Sequence, residues 1–273
     1  MTLHTLHDNL VAALKPQYGA DEARAIARLV LETQCGASLT DILLDRPAEG
    51  WKPSTLERLV AGEPVQYVLG EATFCGHRIK VRRGVLIPRP ETEFLGQLPA
   101  TGPILDVCTG SGCIALAQQL LHPHLRVEAW DVSEEALAVA EENFRAHQAP
   151  VVLRKVDLLN YAQAPAGEYQ LIVSNPPYIP QREIEGMEAH VSEHEPHLAL
   201  FVPDEDPLRF YRPLARLALQ RLRPGGQLAV ECHTQFVPQV AALFEEMGLR
   251  RVTPHHDLFG RPRFVSAWKA EEL

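Results

Sequence analysis

The stretch ILDVCTGSGCIALA, residues 104–117, begins as an apolar run and ends as a helical one. Between them lie Asp106, Val107, Cys108, Thr109, Gly110, Ser111 and Gly112. Glycine at 110 and 112 lets the backbone turn tightly and lets a ligand approach with no Cβ in the way. Strand, glycine-rich turn and helix together form the opening unit of a nucleotide-binding α/β domain. The next strand, VEAWDV, carries Asp131, about 20 residues on, the spacing at which an acid meets a ribose diol. A dinucleotide fingerprint would place a third glycine where Ala115 stands. Its absence leans toward S-adenosylmethionine, which has no pyrophosphate to cradle.

Outward from this stretch the strand–helix rhythm continues. VVLRKVDLL, YQLIVSN, GGQLAVEC and RFVSAWK read as strands. Helices are expected at 114–121, after Ser133 with Glu134 and Glu135 in the first turn, at about 208–222 and at about 235–247. Such alternation predicts a parallel-type α/β sheet with helices on both faces. Asp157 ends the third strand, where it could accept from an adenine amino group with Leu158 packed on the base; a plain strand-end turn fits it equally. The fourth strand ends in LIVSNPPYIP, residues 171–180. Neither Pro176 nor Pro177 can donate to a sheet ladder, so Asn175 and Tyr178 sit on a stiff backbone just past the strand.

Upstream, residues 2–62 read as short helices, the first ending before Pro16 and another following Pro53 with Ser54 as N-cap. Residues 63–92 alternate apolar and polar around Gly70, Gly76 and Gly84, which predicts a hairpin running into Pro88-Arg89-Pro90. The expected domains are therefore a helical module over 1–62, a β-hairpin linker over 63–92 and an α/β domain over 93–273. Lys and Arg number 26 against 35 Asp and Glu, a formal net charge of −9, which argues against a general nucleic-acid binder. The five cysteines are odd in number and include no CxxC pair, as expected of free thiols in a reducing compartment. No signal peptide and no apolar run of spanning length is evident, so a cytoplasmic location is expected.

Three motifs together, GEPVQYVLGEATFCGHRIKVRRGVLIPRPETE (62–93), ILDVCTGSGCIALA and LIVSNPPYIP, resemble those of the release factor glutamine methyltransferases. The likeness continues through EPHLAL (195–200) and DLFGRPRFVSAWK (257–269). It implies a helical N-terminal domain, a hairpin and a Rossmann-like class I methyltransferase domain. It implies methyl transfer from S-adenosylmethionine to the side-chain amide N5 of the glutamine in the GGQ motif of class I peptide-chain release factors. The helical domain is expected to grip the protein substrate, because one glutamine side chain supplies too little contact area. An amide nitrogen is a weak nucleophile, and a site helps by accepting its N–H groups and holding it in line. Asn175 Oδ1 and the Pro176 carbonyl are the expected acceptors, Pro177 stiffens the turn, and Tyr178 offers a ring for the planar amide. Cys108, Thr109, Gly110, Ser111, Gly112, Asp131, Asp157, Leu158, Asn175 and Arg89 are the expected cofactor contacts. Arg89 or Glu91 contacts the cofactor or orders its loop, a structural salt bridge fits them equally, and Glu231 is expected near the site.

Two departures stand out. Cys108 replaces a glycine usual in the family, and would carry strain if φ is positive there. Cys232-His233 replaces a small apolar residue and a glycine. An N6-adenine methyltransferase would use SNPPY equally well but needs a basic groove, and a non-catalytic binding module would not need Asn175 to Tyr178. His190 with His194, and His255-His256-Asp257, lack the third well-spaced ligand of a metal site, so none is expected.

Overall fold

The computed structural model describes residues 1–164 and 166–271. They form two compact units, Met1–Glu71 with Glu188–His194, and Ala72–Met187 with Glu195–Leu273.

The first unit is built on α1 (Leu3–Cys35), which continues through Pro16 and breaks at Gly19, where φ is 78°. The expected stop before Pro16 is thus displaced by three residues. Proline removes one backbone donor close to the end of the first helical stretch, whereas glycine alone adopts the extended positive-φ conformation of this break, with ψ 175°, without penalty. Around α1 lie α2 (Leu39–Leu43), α3 (Ser54–Val60) and α4 (Val65–Leu69). Leu6, Leu10, Leu14, Ile26, Val30 and Leu31 of α1 join Ile42, Leu59 and Val68 in one core. The turn α4 falls where the alternation over 63–92 predicts the hairpin. Pro64 precedes it and Gly70 closes it at φ 81°, so local capping outweighs the alternating pattern.

In the second unit the hairpin is short, β1 (Glu71–Phe74) and β2 (His77–Lys80). Cys75 and Gly76 link them with φ of 47° and 76°, the two positive values that match the twist of a two-residue hairpin turn. Then follow α5 (Glu93–Gly96), β3 (Ile104–Val107), α6 (Cys113–Leu121), β4 (Val127–Asp131), α7 (Glu134–Ala146), β5 (Val152–Lys155) and β6 (Tyr169–Ser174). A two-residue strand, β7 (Ile179–Pro180), pairs with β8 (Phe201–Val202). Between them α8 (Ala189–Ser192) groups with the first unit, and α9 (His197–Leu200) with the second. The chain ends through α10 (Tyr211–Arg221), β9 (Leu222–Glu231), α11 (Val237–Glu246), β10 (Arg250–His256) and β11 (Pro262–Trp268).

The central sheet has seven strands in the order β10-β11-β9-β6-β3-β4-β5. Five, β9, β6, β3, β4 and β5, run parallel to one another, and β11 is antiparallel to both β9 and β10. Side chains alternate across the sheet. Leu105, Val107, Ile172, Leu228 and Val230 face Leu214, Leu217, Val240 and Phe244 of α10 and α11. Asp106 points the other way and accepts from Ala115 N of α6 at 3.1 Å. β10 was not anticipated, because RRVTPHH is polar and carries Pro254. At a sheet edge that strand needs no donor on its outer side. No helix of the described residues is long and apolar enough to cross a membrane.

Candidate functional site

The strand order reverses between β3 and β6, and ligands of open α/β sheets bind at the carboxyl ends of strands beside such a switch. A cavity of about 280 Å³ lies there, walled by the turns after β3, β4, β5 and β6. Cys108, Thr109, Gly110, Ser111, Asp131, Asp157, Leu158, Asn175, Pro177 and Arg89 all line it. Gly112, Pro176 and Tyr178 do not.

The glycine turn is fastened at several points. Gly110 N donates to Asp131 Oδ2 at 2.8 Å, and Ser133 N donates to Oδ1 at 2.9 Å. Asp131 is thereby fixed at the cavity wall with a lone pair on each oxygen still to offer. Burial pushes its carboxyl above the ordinary value. Asp106, fully buried, accepts from Thr109 Oγ1 at 2.5 Å and is pushed up to about 7 by burial. Asn143 of α7, also buried, accepts from Lys80 N and donates to Lys80 O and Ser111 O, tying the hairpin to the glycine turn. Nothing in the local sequence distinguishes Asn143 from any polar helix residue.

The two glycines do different work. A Cβ built on Gly110 meets nothing within 4 Å, so its absence leaves open space at the cavity. A Cβ on Gly112 would lie 2.7 Å from the Phe144 ring, so this glycine serves packing against α7 instead. Cys108 has φ 62°, so the anticipated strain is present. Asp157 accepts from Leu159 N and Asn160 Nδ2, which makes it a strand-end turn residue as well as part of the wall.

Arg89 does not reach freely into the cavity. Its Nη2 donates to Glu195 Oε1 at 2.6 Å, and Ile87 N donates to Glu195 Oε2 at 3.1 Å. Glu195 is buried and joins segment 84–92 to segment 196–199, both of which line the cavity. Glu195→Ala would leave the Ile87 amide and the Arg89 guanidinium without their acceptor. An unfolding titration is expected to show a loss of about 1–3 kcal/mol, and titration with the cofactor product a weaker affinity.

At the acceptor end, Asn175 Nδ2 donates to Thr92 Oγ1 at 3.3 Å and Thr92 Oγ1 donates to Glu231 Oε2 at 2.6 Å. Tyr178 OH donates to Glu231 Oε1 at 2.9 Å and accepts from Arg263 Nη2 at 3.1 Å. Burial and the Glu231 charge push the Tyr178 hydroxyl well up. The Arg263 guanidinium lies 5.3 Å from the centre of the Tyr178 ring. Glu231 is therefore beside the site as expected, while Thr92 and Arg263 were missed. His233 Nε2 bonds Glu183 Oε2 at 3.1 Å, and His233 Nδ1 accepts from Gln235 N. This unusual residue thus links the end of β9 to the segment that follows SNPPYIP. His190 sits beside Glu188 and His255 beside Ser266.

Arg89 is the only cation lining the cavity among the described residues, and its charge is paired with Glu195. No side-chain cation is therefore left free there to pair with a pyrophosphate. An apolar wall with Asp131 and Asp157 suits a nucleoside carrying a positive sulfonium.

Comparison with known proteins agrees. The methyltransferase small domain model matches residues 75–193. The solved methyltransferase of Pyrococcus furiosus superposes with a TM-score of 0.53 over 72% of this chain and 90% of its own, at 19% identity, a likeness of fold. The release factor glutamine methyltransferase of Bacteroides thetaiotaomicron is 41% identical over 93% of this chain and 96% of its own. That of Chlorobaculum tepidum is 40% identical over 82% and 83%. With such identity running the length of both chains, and with the methyltransferase fold beneath it, the chain belongs to the release factor glutamine methyltransferase family.

Proposed function

We propose that the protein methylates the side-chain amide nitrogen of the glutamine in the GGQ motif of class I release factors, with S-adenosylmethionine as donor. The observation that carries the reading is Asn175, which lines the cavity and whose amide is held from behind by Thr92. The residues Cys108 to Ser111, Asp131, Asp157 and Leu158 would hold the cofactor. When bound, it supplies an electrophilic methyl group.

The chain's own contribution is orientation. Asn175 Oδ1 accepts one N–H of the substrate amide, and the carbonyl of Pro176, the next residue of the turn, accepts the other. With both hydrogens engaged, the nitrogen is aimed rather than free to rotate, and such positioning contributes several kcal/mol, about 7–11 in the best intramolecular cases. Pro176 and Pro177 stiffen the backbone that carries these acceptors. Tyr178 supports them through Glu231 and Arg263. No strong base is required, because the surplus proton leaves readily once the nitrogen is alkylated. The helical unit supplies contact area for the protein substrate, since a single glutamine side chain offers too little for recognition.

The test is transfer of label from S-adenosylmethionine to a purified class I release factor, to its GGQ→GGA variant and to DNA and RNA. Label is expected on the intact factor alone. Label on nucleic acid alone would overturn the reading in favour of an N6-adenine methyltransferase.

A further inference from the structure

We propose that Glu231 and Thr92 are positioning residues that set which way the Asn175 amide faces, and so keep its oxygen turned to the substrate. The inference rests on the reading above, in which Asn175 accepts from the substrate NH₂.

The argument is a count of hydrogens. Arginine can only donate. Arg263 Nη2 therefore fills a lone pair of Tyr178 OH, and the Tyr178 hydrogen goes to Glu231 Oε1. The second oxygen of the same carboxylate lies 2.6 Å from Thr92 Oγ1 and takes the one hydrogen that Thr92 owns. What Thr92 then presents to Asn175 is a lone pair. Only the NH₂ of Asn175 can face it, as it does at 3.3 Å, and Oδ1 is left for the cavity side. Asparagine's two ends differ little in shape, so packing alone does not choose between them; the chain of donors does. Burial pushes the Glu231 carboxyl up, while the Thr92 hydroxyl, the Arg263 guanidinium and the Tyr178 hydroxyl each favour its charged form. Glu231 and Thr92 are both buried, so water does not compete for these bonds. They are 139 residues apart in sequence.

Glu231→Gln tests this with little change of volume. Glutamine has one acceptor and one donor end. Its oxygen takes the Tyr178 hydrogen, so its NH₂ faces Thr92. Thr92 then turns its hydrogen toward Asn175, whose oxygen must rotate to receive it. The Asn175 NH₂ is left facing the substrate NH₂, donor against donor. Thr92→Val removes the link altogether, and Thr92→Ser keeps it.

Glu231→Gln and Thr92→Val are expected to lower kcat for release-factor methylation at least about tenfold, with KM and product affinity changed less than about twofold. Thr92→Ser should stay within about threefold of the parent chain, and the double variant should be no worse than Thr92→Val alone. In spectra of the protein carrying isotope-labelled asparagine, the Asn175 side-chain amide should shift in both damaging variants and keep its place in Thr92→Ser. Unchanged kcat and an unmoved Asn175 amide in Glu231→Gln would overturn the proposal, as would additive losses in the double variant. The spectra decide the orientation without any substrate. Failure of the parent chain to methylate a release factor would therefore count against the proposed function, while the Asn175 amide still answered for Glu231.

Discussion

Asn175→Ala is expected to slow methyl transfer to a release factor by about 10²–10³-fold in kcat, the loss seen when one preorganised polar group is taken from a reacting centre. The size follows from what the oxygen faces. As the amide nitrogen gives up its lone pair it gains positive charge, and a fixed Oδ1 dipole stabilises that charge more in the transition state than in the ground state. An interaction that grows along the reaction coordinate appears in kcat rather than in KM. The scaffold around Asn175 should survive the change. Ser174 Oγ still donates to the Val107 carbonyl at 2.6 Å, and Pro176 and Pro177 still fix the backbone. Asn175 also lines the cavity, so affinity for the cofactor product should weaken, by less than about tenfold, the scale of one neutral hydrogen bond. The check is single-turnover methylation under saturating cofactor, beside calorimetric titration of the product. A variant with near-normal turnover would remove Asn175 from the reacting centre. A loss confined to KM would assign it to substrate binding only.

The cofactor half of this site was readable residue by residue because its parts are contiguous. Apolar residues into Asp106, glycines at 110 and 112, and Asp131 at the end of the next strand are local signals of a strand, a turn and a second strand. All three elements formed as read. The same holds for SNPPY at the end of β6. What stayed hidden depends on partners distant in sequence. Thr92 looked like one residue of a loop, and only folding brings it to Glu231 and Asn175. Arg89 looked equally suited to the cofactor or to a salt bridge, and the partner with which it forms one while lining the cavity, Glu195, is 106 residues away. Asn143 carried no pattern at all. Errors in the elements have a second cause, competition between signals of similar strength. Pro16 outranked Gly19 as a breaker on paper, and Pro254 hid an edge strand that loses nothing by containing it. Local chemistry was legible where one segment does the work, and second partners were not.

Gly112→Ala should cost about 2–5 kcal/mol, since two penalties add. The backbone sits at φ 79°, where a side chain costs about 1–2 kcal/mol. The new Cβ would also fall 2.7 Å from two atoms of the Phe144 ring and 3.0 Å from Ala140 Cβ, and such overpacking adds about 1–3 kcal/mol. Relief by movement is blocked. Phe144 is buried, and its neighbour Asn143 is bonded to Lys80 and to Ser111 in the same turn. The strain alone would be survivable, because Cys108 in the same turn already holds a side chain at φ 62°. Space is what separates the two positions. Gly110→Ala supplies the control: its φ of 55° brings a similar backbone cost, but its Cβ meets nothing within 4 Å. Denaturant unfolding should therefore show Gly112→Ala shifted well beyond Gly110→Ala. The alanine at 110, whose methyl intrudes on the cavity, should show its larger effect in cofactor affinity. Equal losses of stability at the two positions would mean that backbone conformation alone governs the turn and that the Phe144 contact carries no weight. A Gly112→Ala protein as stable as its parent would mean that α7 yields, and the coupling of hairpin, helix and turn through Asn143 would have to yield with it.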